Sequence, residues 1–232
     1  MRQIASGIYL LEGVRGANVY AVAEDEGVTL VDSGMPGSAG QIAAQLEEGG
    51  YALSALRAIV ITHAHSDHTG SAAELAHRSG AQICAHRNEV PYLEGSASLK
   101  AASWLTNLLL WLQAHVVGGR CNCHVDIPLE DGQVIDAPGK LRVIHTPGHT
   151  PGSISLFQPE AGGLFCGDLF FNQNPLTGRP GLHFAFPLIS VDPEQAQASL
   201  HKLLPLEAQV VCPGHGDPLK EGARARIAAL FE

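Results

Sequence analysis

The chain has 232 residues, of which 45% are hydrophobic, so it is long enough to bury a sizeable core within one large domain. Its 23 Asp and Glu residues outnumber 14 Lys and Arg residues, and the formal net charge of -9 disfavours binding to nucleic-acid phosphates or anionic lipids. The N-terminus lacks the features of a secretory signal, and the five cysteines show no disulfide-scaffold spacing. We therefore expect a cytoplasmic protein that binds no nucleic acid.

The first part of the chain alternates short apolar runs with helical patterns. Apolar runs bounded by turn residues predict strands over residues 8–11, 19–23, 28–31, 58–61 and 82–85. Apolar residues at helical spacing predict helices over residues 37–48 and 69–78, and glycine follows each of them. This alternation indicates an α/β layered fold.

Residues 98–117 form the most unusual segment, because they predict a helix that is apolar on nearly every side. Polar residues interrupt it, so we do not expect a membrane span. The helix is either buried in the core, part of a homodimer contact, or a lid over the substrate, within a lid-like insertion over about residues 87–120. Trp104 and Trp111 are candidate substrate contacts on this helix.

Strands and helices then recur in a similar order. Strands are predicted over residues 125–128, 141–145, 153–157, 163–166 and 209–212. A helix is predicted over residues 193–204. The recurrence suggests two similar halves whose sheets pack face to face, with the helices outside.

A cluster of potential metal ligands follows the predicted strand over residues 58–61. Residues 62–68 read Thr-His-Ala-His-Ser-Asp-His. Histidines at alternating positions after a strand can converge on one ion, and the Asp-His pair can turn towards a second ion. The alternative is a histidine-rich surface turn.

Three further candidate ligands lie in glycine-bearing turns after predicted strands: His149, Asp168 and His215. Glycine allows the backbone to come close to an ion, so a ligand beside it is more credible than one inside a helix. Each residue alone is weak support, since such residues often make only hydrogen bonds within turns. Together with the histidine cluster they predict a metal site.

The ordered set His63-x-His65-x-Asp67-His68, His149, Asp168 and His215 resembles the metallo-β-lactamase superfamily. The turn Val31-Asp32-Ser33-Gly34 and the segment over residues 146–153 are also similar to motifs of that family. The resemblance implies one domain over residues 1–232, an α/β (α+β) four-layer αβ/βα sandwich of two mixed β-sheets with helices outside. Its metal site would lie at one edge between the sheets.

The resemblance also implies a role for each ligand. It assigns His63, His65 and His149 to a first metal and Asp67, His68 and His215 to a second, with Asp168 bridging the two. Nitrogen and carboxylate ligands suit Zn²⁺, two per chain, although iron and manganese also accept them. Asp32 is expected to cap a turn, with direct catalysis as the alternative, and a capping Asp32 could also orient a ligand histidine.

The expected chemistry follows from the paired charges. Two cations that share a water lower its pKa, so that hydroxide is available near neutral pH to attack a polarised carbonyl. Asp67 is the catalytic candidate, because it would ligate the second metal and orient the hydroxide by accepting a hydrogen bond.

Differences between groups of this superfamily narrow the range of expected substrates. Cys replaces the bridging Asp168 in one group of true β-lactamases, whereas Asp is usual in thioesterases, lactonases and related enzymes. Only 17 residues follow His215, too few for the glutathione-binding region of glyoxalase II, and Phe171 stands where lactonases carry Tyr. We expect a hydrolase of the EC 3.1 type, a thioesterase, lactonase or esterase, that acts on a small molecule.

Two other functions stay open. A mononuclear iron persulfide dioxygenase would share His63, His65, His149 and Asp168, but its characteristic stretch is not matched at residues 178–181. A non-catalytic metal-binding regulator is the second alternative. Apart from the two tryptophans, the candidate substrate-binding residues are Met35, Phe171 and His183.

Overall fold

The computed structural model describes residues 1–25, 27–99, 122–174, 177–184 and 189–228. The predicted helix over residues 98–117 lies almost entirely outside the described residues, and so do Trp104 and Trp111. The same holds for most of the lid-like insertion. Whether this segment is a lid, a core helix or a dimer contact therefore stays a prediction.

The first part of the chain forms a seven-stranded sheet whose strands follow one another in chain order. They are β1 (Arg2–Ala5), β2 (Ile8–Leu11), β3 (Val19–Glu24), β4 (Gly27–Val31), β5 (Leu56–Ile61), β6 (Gln82–His86) and β7 (Ile127–Leu129). Strands β1 to β4 are antiparallel, and β4 to β7 are parallel. All but β1 were predicted; β1 buries only Ile4, so it lacks an apolar run.

A second sheet of four strands has the order β13-β10-β9-β8. Its strands are β8 (Arg142–His145), β9 (Ile154–Gln158), β10 (Gly163–Gly167) and β13 (Val210–Pro213). A separate two-stranded hairpin consists of β11 (Phe170–Gln173) and β12 (Pro180–Phe184). The strands of the four-stranded sheet match the predicted ones to within two residues, whereas the hairpin was not predicted.

The helices are short. They are α1 (Ala39–Glu48), α2 (Ser66–Thr69), α3 (Ala72–Ser79), α4 (Val90–Leu93), α5 (Pro193–Leu200) and α6 (Ala223–Ala228), with a 3-10 helix at Leu53–Ala55. The single helix predicted over residues 69–78 is wrong at its start, because Thr69 ends α2 and the next helix, α3, begins only at Ala72. Between the two helices Gly70 packs against Pro36. None of the described helices is long and apolar enough to cross a membrane.

Three apolar clusters define four layers. One lies between the two sheets and contains Val60 and Phe165. A second joins the larger sheet to α1 and α3 through Ile42 and Leu75, and a third joins the smaller sheet to α5 through Leu200. The order is helix, sheet, sheet, helix, which confirms the predicted αβ/βα sandwich.

The carboxyl ends of the parallel strands meet at one edge of this sandwich. Strands β4 and β5 lead there to Asp32 and His63, and β10 and β13 lead there to Asp168 and His215. The amide of Ile154 donates to the carbonyl oxygen of Thr62 over 3.0 Å and joins the two sheets beside this edge. Residues far apart in the chain are thereby brought together.

Candidate metal centre

Four predicted ligands form a first group, composed of His63, His65, His149 and Asp168. Their ligand atoms all lie within 4.8 Å of one another. His65 Nδ1 lies 3.1 Å from His63 Nε2 and 3.0 Å from His149 Nε2. Asp168 Oδ2 lies 3.9 Å from the first of these Nε2 atoms and 3.7 Å from the second. Three ring nitrogens and one carboxylate oxygen therefore face a common point.

The other three predicted ligands form a second group, composed of Asp67, His68 and His215. Asp67 Oδ2 lies 3.3 Å from His215 Nε2 and 4.0 Å from His68 Nε2. Asp168 approaches this group too, since its Oδ1 lies 3.2 Å from His68 Nε2 and its Oδ2 lies 3.5 Å from His215 Nε2. Asp168 thus stands between the groups, as a bridging ligand would.

The ligand separations fit metal coordination. Ligands about 2.0–2.1 Å from a tetrahedral ion lie about 3.4 Å from each other, and the distances above scatter around that value. His68 Nε2 and Asp168 Oδ1 are buried and lie 3.2 Å apart, yet neither has a hydrogen-bond partner among the described residues. Buried polar atoms without partners are costly, and a cation between them would remove that cost.

The protonation of the first group favours metal binding. Burial lowers the pKa of His63, His65 and His149, the last to about 3. The three rings are therefore neutral near pH 7, and the neutral imidazole is the form that binds a metal.

The second group behaves differently. Burial raises the pKa of Asp168, but His68 and His215 outweigh it and hold that pKa well below its usual range. Burial lowers the pKa of His215, but Asp168 and Asp67 outweigh that effect and raise the pKa to about 9. The ionised carboxylates thus hold protons on the nearby imidazoles in the metal-free chain, and a cation would displace these protons.

A buried network orients two of the ligand rings. Asp32 Oδ2 lies 2.7 Å from His68 Nδ1, and the two oxygens of Asp32 accept from Thr62, from its amide over 2.8 Å and from its hydroxyl over 2.9 Å. The hydroxyl of Thr62 lies 3.1 Å from His63 Nδ1. Partners at Nδ1 leave Nε2 of both rings directed at the candidate site. Asp32 therefore holds the turn and also orients a ligand ring.

Comparisons with known proteins agree with this geometry. The sequence model of the Metallo-beta-lactamase superfamily matches residues 13–215. The chain belongs to this superfamily. The probable metallo-hydrolase YflN of Bacillus subtilis (strain 168) is 31% identical over 236 residues, which cover 92% of this chain and 88% of that protein. The resemblance read from the histidine motif is thereby confirmed.

Two further similar proteins provide information on the reaction and on the metal. A hydroxyacylglutathione hydrolase of Dechloromonas aromatica (strain RCB) is 33% identical over 180 residues, which cover 76% of this chain but 51% of that enzyme. The crystal structure of TTHA1623 in a di-iron-bound form is 30% identical with a TM-score of 0.68, and it covers 94% of this chain and 96% of that one. The chain is thus a member of a metallo-hydrolase family.

Glu89, a fully buried carboxylate between β6 and α4, was not predicted as part of the site. Its Oε2 accepts from the amide of Ala64, and its Oε1 accepts from the hydroxyl of Thr150 and the amide of Gly152. Burial raises the pKa of Glu89 above its usual value, and these hydrogen bonds offset only part of that effect. This superfamily member therefore uses one side chain to join the loops that carry its first ligand group.

Asn18 was missed as well and serves the second group. Its side-chain amide donates to the carbonyl oxygens of Pro213 and Gly216 over 3.0 and 2.7 Å, and its backbone amide donates to that of Gly214 over 2.7 Å. These bonds hold the loop that carries His215. An asparagine between two predicted strands has no local pattern that would reveal such a role.

Gly214 allows the closest approach of backbone to the candidate site. A Cβ atom at this position would lie 2.2 Å from Asp168 Oδ1 and 2.9 Å from His68 Cε1. Only glycine fits there, because a side chain would have no space. The backbone conformation of Gly214 is itself one that other residues also adopt.

Met35 lies beside the second group. A Cβ on Gly16 would come within 2.7 Å of Met35 Cγ and 2.9 Å of Asp67 Cβ, so both side chains flank the same glycine. Met35 is half-buried and therefore has one surface towards solvent.

The hairpin of β11 and β12 borders the same group. The Phe171 ring lies 5.4 Å from that of His215, and Phe171 is 1% exposed. Its cross-strand partner is His183, whose Nε2 is buried without a hydrogen-bond partner among the described residues. Phe171 therefore supports the His215 ring from below the surface, while His183 lies one strand further out.

Proposed function

We propose that this chain is a dinuclear metal-dependent hydrolase that cleaves a small ester, thioester or lactone. The observation that carries the proposal is Asp168, a buried carboxylate whose oxygens face two separate groups of ligands. A metal pair bridged by one carboxylate is a common arrangement for hydrolysis. The names of the metallo-hydrolase and hydroxyacylglutathione hydrolase relatives support this choice of reaction.

The proposed cofactors are two divalent ions per chain. His63, His65 and His149 would hold the first, Asp67, His68 and His215 the second, and Asp168 both. When bound, such a pair supplies Lewis acidity that lowers the pKa of water and polarises the substrate carbonyl. Zinc suits these ligands, and iron is supported by the di-iron form of TTHA1623.

The exposure of the ligands suggests where the substrate enters. His63, His149 and His68 are each at most 1% exposed, whereas His65 is half-buried and the side chains of His215 and Asp67 are each 30% exposed. A small molecule would therefore approach from the side of Asp67 and His215, past Met35 and His183. In this proposal Trp104 and Trp111 contribute from the segment over residues 98–117.

Asp67 has the proposed catalytic role. Burial raises its pKa, but His68 and His215 outweigh that effect and lower the pKa below its usual value, so the carboxylate stays ionised. An ionised and partly exposed carboxylate at the entrance accepts a hydrogen bond from the attacking water and orients it towards the carbonyl.

The test combines metal analysis with a substrate panel on the same preparation. Wild-type protein is loaded with Zn²⁺ or Fe²⁺ and assayed with thioesters, esters and lactones, and Asp67→Asn is assayed in parallel. We expect hydrolysis that depends on metal, and a loss of turnover in the variant on the order of 100-fold, with metal at the first group retained. Full metal loading without hydrolysis would contradict the proposal. Oxygen uptake with a persulfide would instead indicate the dioxygenase.

A further inference from the structure

We propose that Glu89 is a positioning residue that sets the distance between the two loops of the first ligand group and thereby controls metal affinity at that group alone. The inference rests on the proposed metal-dependent function. His63 and His65 belong to one loop, whereas His149 belongs to another loop on the opposite sheet. Glu89 belongs to neither loop and hydrogen-bonds to both.

The contacts of Glu89 place it at the centre of the first group's support. Its Oε2 accepts over 2.7 Å from the amide of Ala64, the residue between His63 and His65. Its Oε1 accepts over 2.8 Å from the hydroxyl of Thr150, the residue after His149, and over 2.7 Å from the amide of Gly152. Each ligand-bearing loop is thus held within one residue of its histidines.

Glu89 is itself held firmly. Its amide donates to the carbonyl oxygen of His86 over 2.8 Å, and its own carbonyl accepts from the amides of Tyr92 and Leu93 in α4. A Cβ on Gly152 would lie 2.7 Å from the Glu89 amide nitrogen, so the two segments already touch. A carboxylate on such a fixed backbone transmits its position to both loops.

A carboxylate matches the hydrogen-bond donors around it. All three partners of Glu89 are donors, and a carboxylate accepts at both of its oxygens. In Glu89→Gln the shape is kept, but the new amide group must face at least one of these donors. One loop would then be pushed away from the other, and the nitrogen separations of about 3 Å in the first group would widen.

The second group has supports of its own that do not involve Glu89, although Asp67 and His68 continue the loop of His63 and His65. Asp67 and His215 are held by main-chain bonds of residues 17 and 18 and by the Asn18 side chain. Loss of Glu89 should therefore act on one group only. The bond from the Ile154 amide to Thr62 would still join the sheets, so we expect the variant to fold.

The experiment isolates each group and then tests Glu89→Gln in both settings. In a His215→Ala background Zn²⁺ is measured at the first group, and in a His149→Ala background at the second, by competition with a chromophoric chelator. We expect Glu89→Gln to weaken Zn²⁺ binding on the order of tenfold in the first background and to change it by less than about twofold in the second. The gain in melting temperature on adding Zn²⁺ should shrink only in the first background.

Glu94→Gln is the matched control. Glu94 follows the same short helix and also accepts from a backbone amide, that of Val125, but it bonds no residue of the ligand loops. Its substitution should leave Zn²⁺ affinity unchanged in both backgrounds. Equal affinities for Glu89→Gln and Glu94→Gln would overturn the proposal, and so would an equal loss in both backgrounds, which indicates a merely structural role.

Two provisions keep the test decisive. If Glu89→Gln does not fold by circular dichroism, Thr150→Val removes one donor to Glu89 and is read in the same way, with unchanged first-group affinity again overturning the proposal. Zinc affinity is also separate from turnover. A loaded wild-type protein that hydrolyses nothing contradicts the proposed function, whereas an active wild type without the affinity split contradicts only the role of Glu89.

Discussion

Replacement of Gly214 by alanine should disable the site through a single methyl group. The new Cβ would lie 2.2 Å from Asp168 Oδ1, whereas an ordinary contact begins at 3.4 Å, so the two atoms must separate by about 1.2 Å. The backbone of Gly214 is fixed by hydrogen bonds to Gly167 and Asn18, over 2.8 and 2.7 Å. We therefore expect Asp168 to move rather than the loop.

The expected loss follows from that displacement. A shift of about 1 Å at a reacting centre costs roughly 100-fold in rate, or about 2.7 kcal/mol of transition-state stabilisation. Because Asp168 faces both ligand groups, the Gly214→Ala variant should also hold less metal. The assays are kcat/KM on the best substrate of the panel and metal content per chain.

Gly40→Ala is the control for Gly214→Ala. Gly40 lies in α1, and a Cβ atom added to it would have no heavy atom within 4 Å, so alanine fits and should stabilise the helix by about 0.5–1 kcal/mol. Its metal content and kcat/KM should equal those of the wild type. If a folded Gly214→Ala variant also kept wild-type metal content and kcat/KM, the inferred steric conflict with Asp168 would be refuted.

Three further outcomes are expected. Asparagine tolerates the positive φ of 62° at position 32, but Asp32→Asn should weaken the hydrogen bond to His68 Nδ1. The metal affinity of the second group, measured by titration, should therefore fall about 10-fold or more. Unchanged affinity would contradict the orienting role of Asp32. Burial lowers the pKa of His86 to about 4, so the unfolding free energy of the metal-free protein should decrease as pH falls from about 6.5 towards 4, on the order of 1–3 kcal/mol. In denaturant titrations the unfolding free energy of His86→Phe should depend less on pH than that of the wild type. An identical pH dependence would disprove the assignment of this effect to His86. Finally, because the pKa of His215 is about 9, metal binding at the second group near pH 7.5 should release about one to two protons, and binding at the first group close to none. Calorimetry in buffers of different ionisation enthalpy measures this difference, and equal release at both groups would contradict it.

The candidate ligands could be located from the sequence because each one follows a buried strand. Asp168 comes directly after β10, and His215 comes just after β13, so apolar runs locate the strand ends and polar residues beyond them locate the site. The histidine cluster after β5 adds a spacing that few other sites use. Local pattern was therefore sufficient for all seven residues that the structure brings together.

The supporting residues could not be predicted in this way. Glu89 acts on residues 25 and 61 to 63 positions away, and the Asn18 side chain acts on residues 195 and 198 positions away. Apart from the bond to Ala64, which lies within the larger sheet, such contacts arise only when the two sheets pack against each other, and neither residue stands in a distinctive motif. Their roles are properties of the tertiary fold.

The strands β11 and β12 were not predicted from the sequence, for a similar reason. The strand β12 begins at Pro180 and has only half-buried residues after it, so it shows neither an apolar run nor alternation. The strand β11 continues from the Phe170 and Phe171 pair into polar residues and is paired with β12. Their surroundings are tertiary contacts, such as that of Phe171 with the His215 ring, which the local sequence does not reveal.

The central claim is that Asp168 serves two metal ions at once. Metal content per chain, measured by elemental analysis after saturation and gel filtration, tests it most directly when wild type and Asp168→Ala are compared. Two ions per wild-type chain, with loss of both tight sites in the variant, are the predicted result. One ion or fewer per wild-type chain, or a variant that still holds two, would contradict the claim.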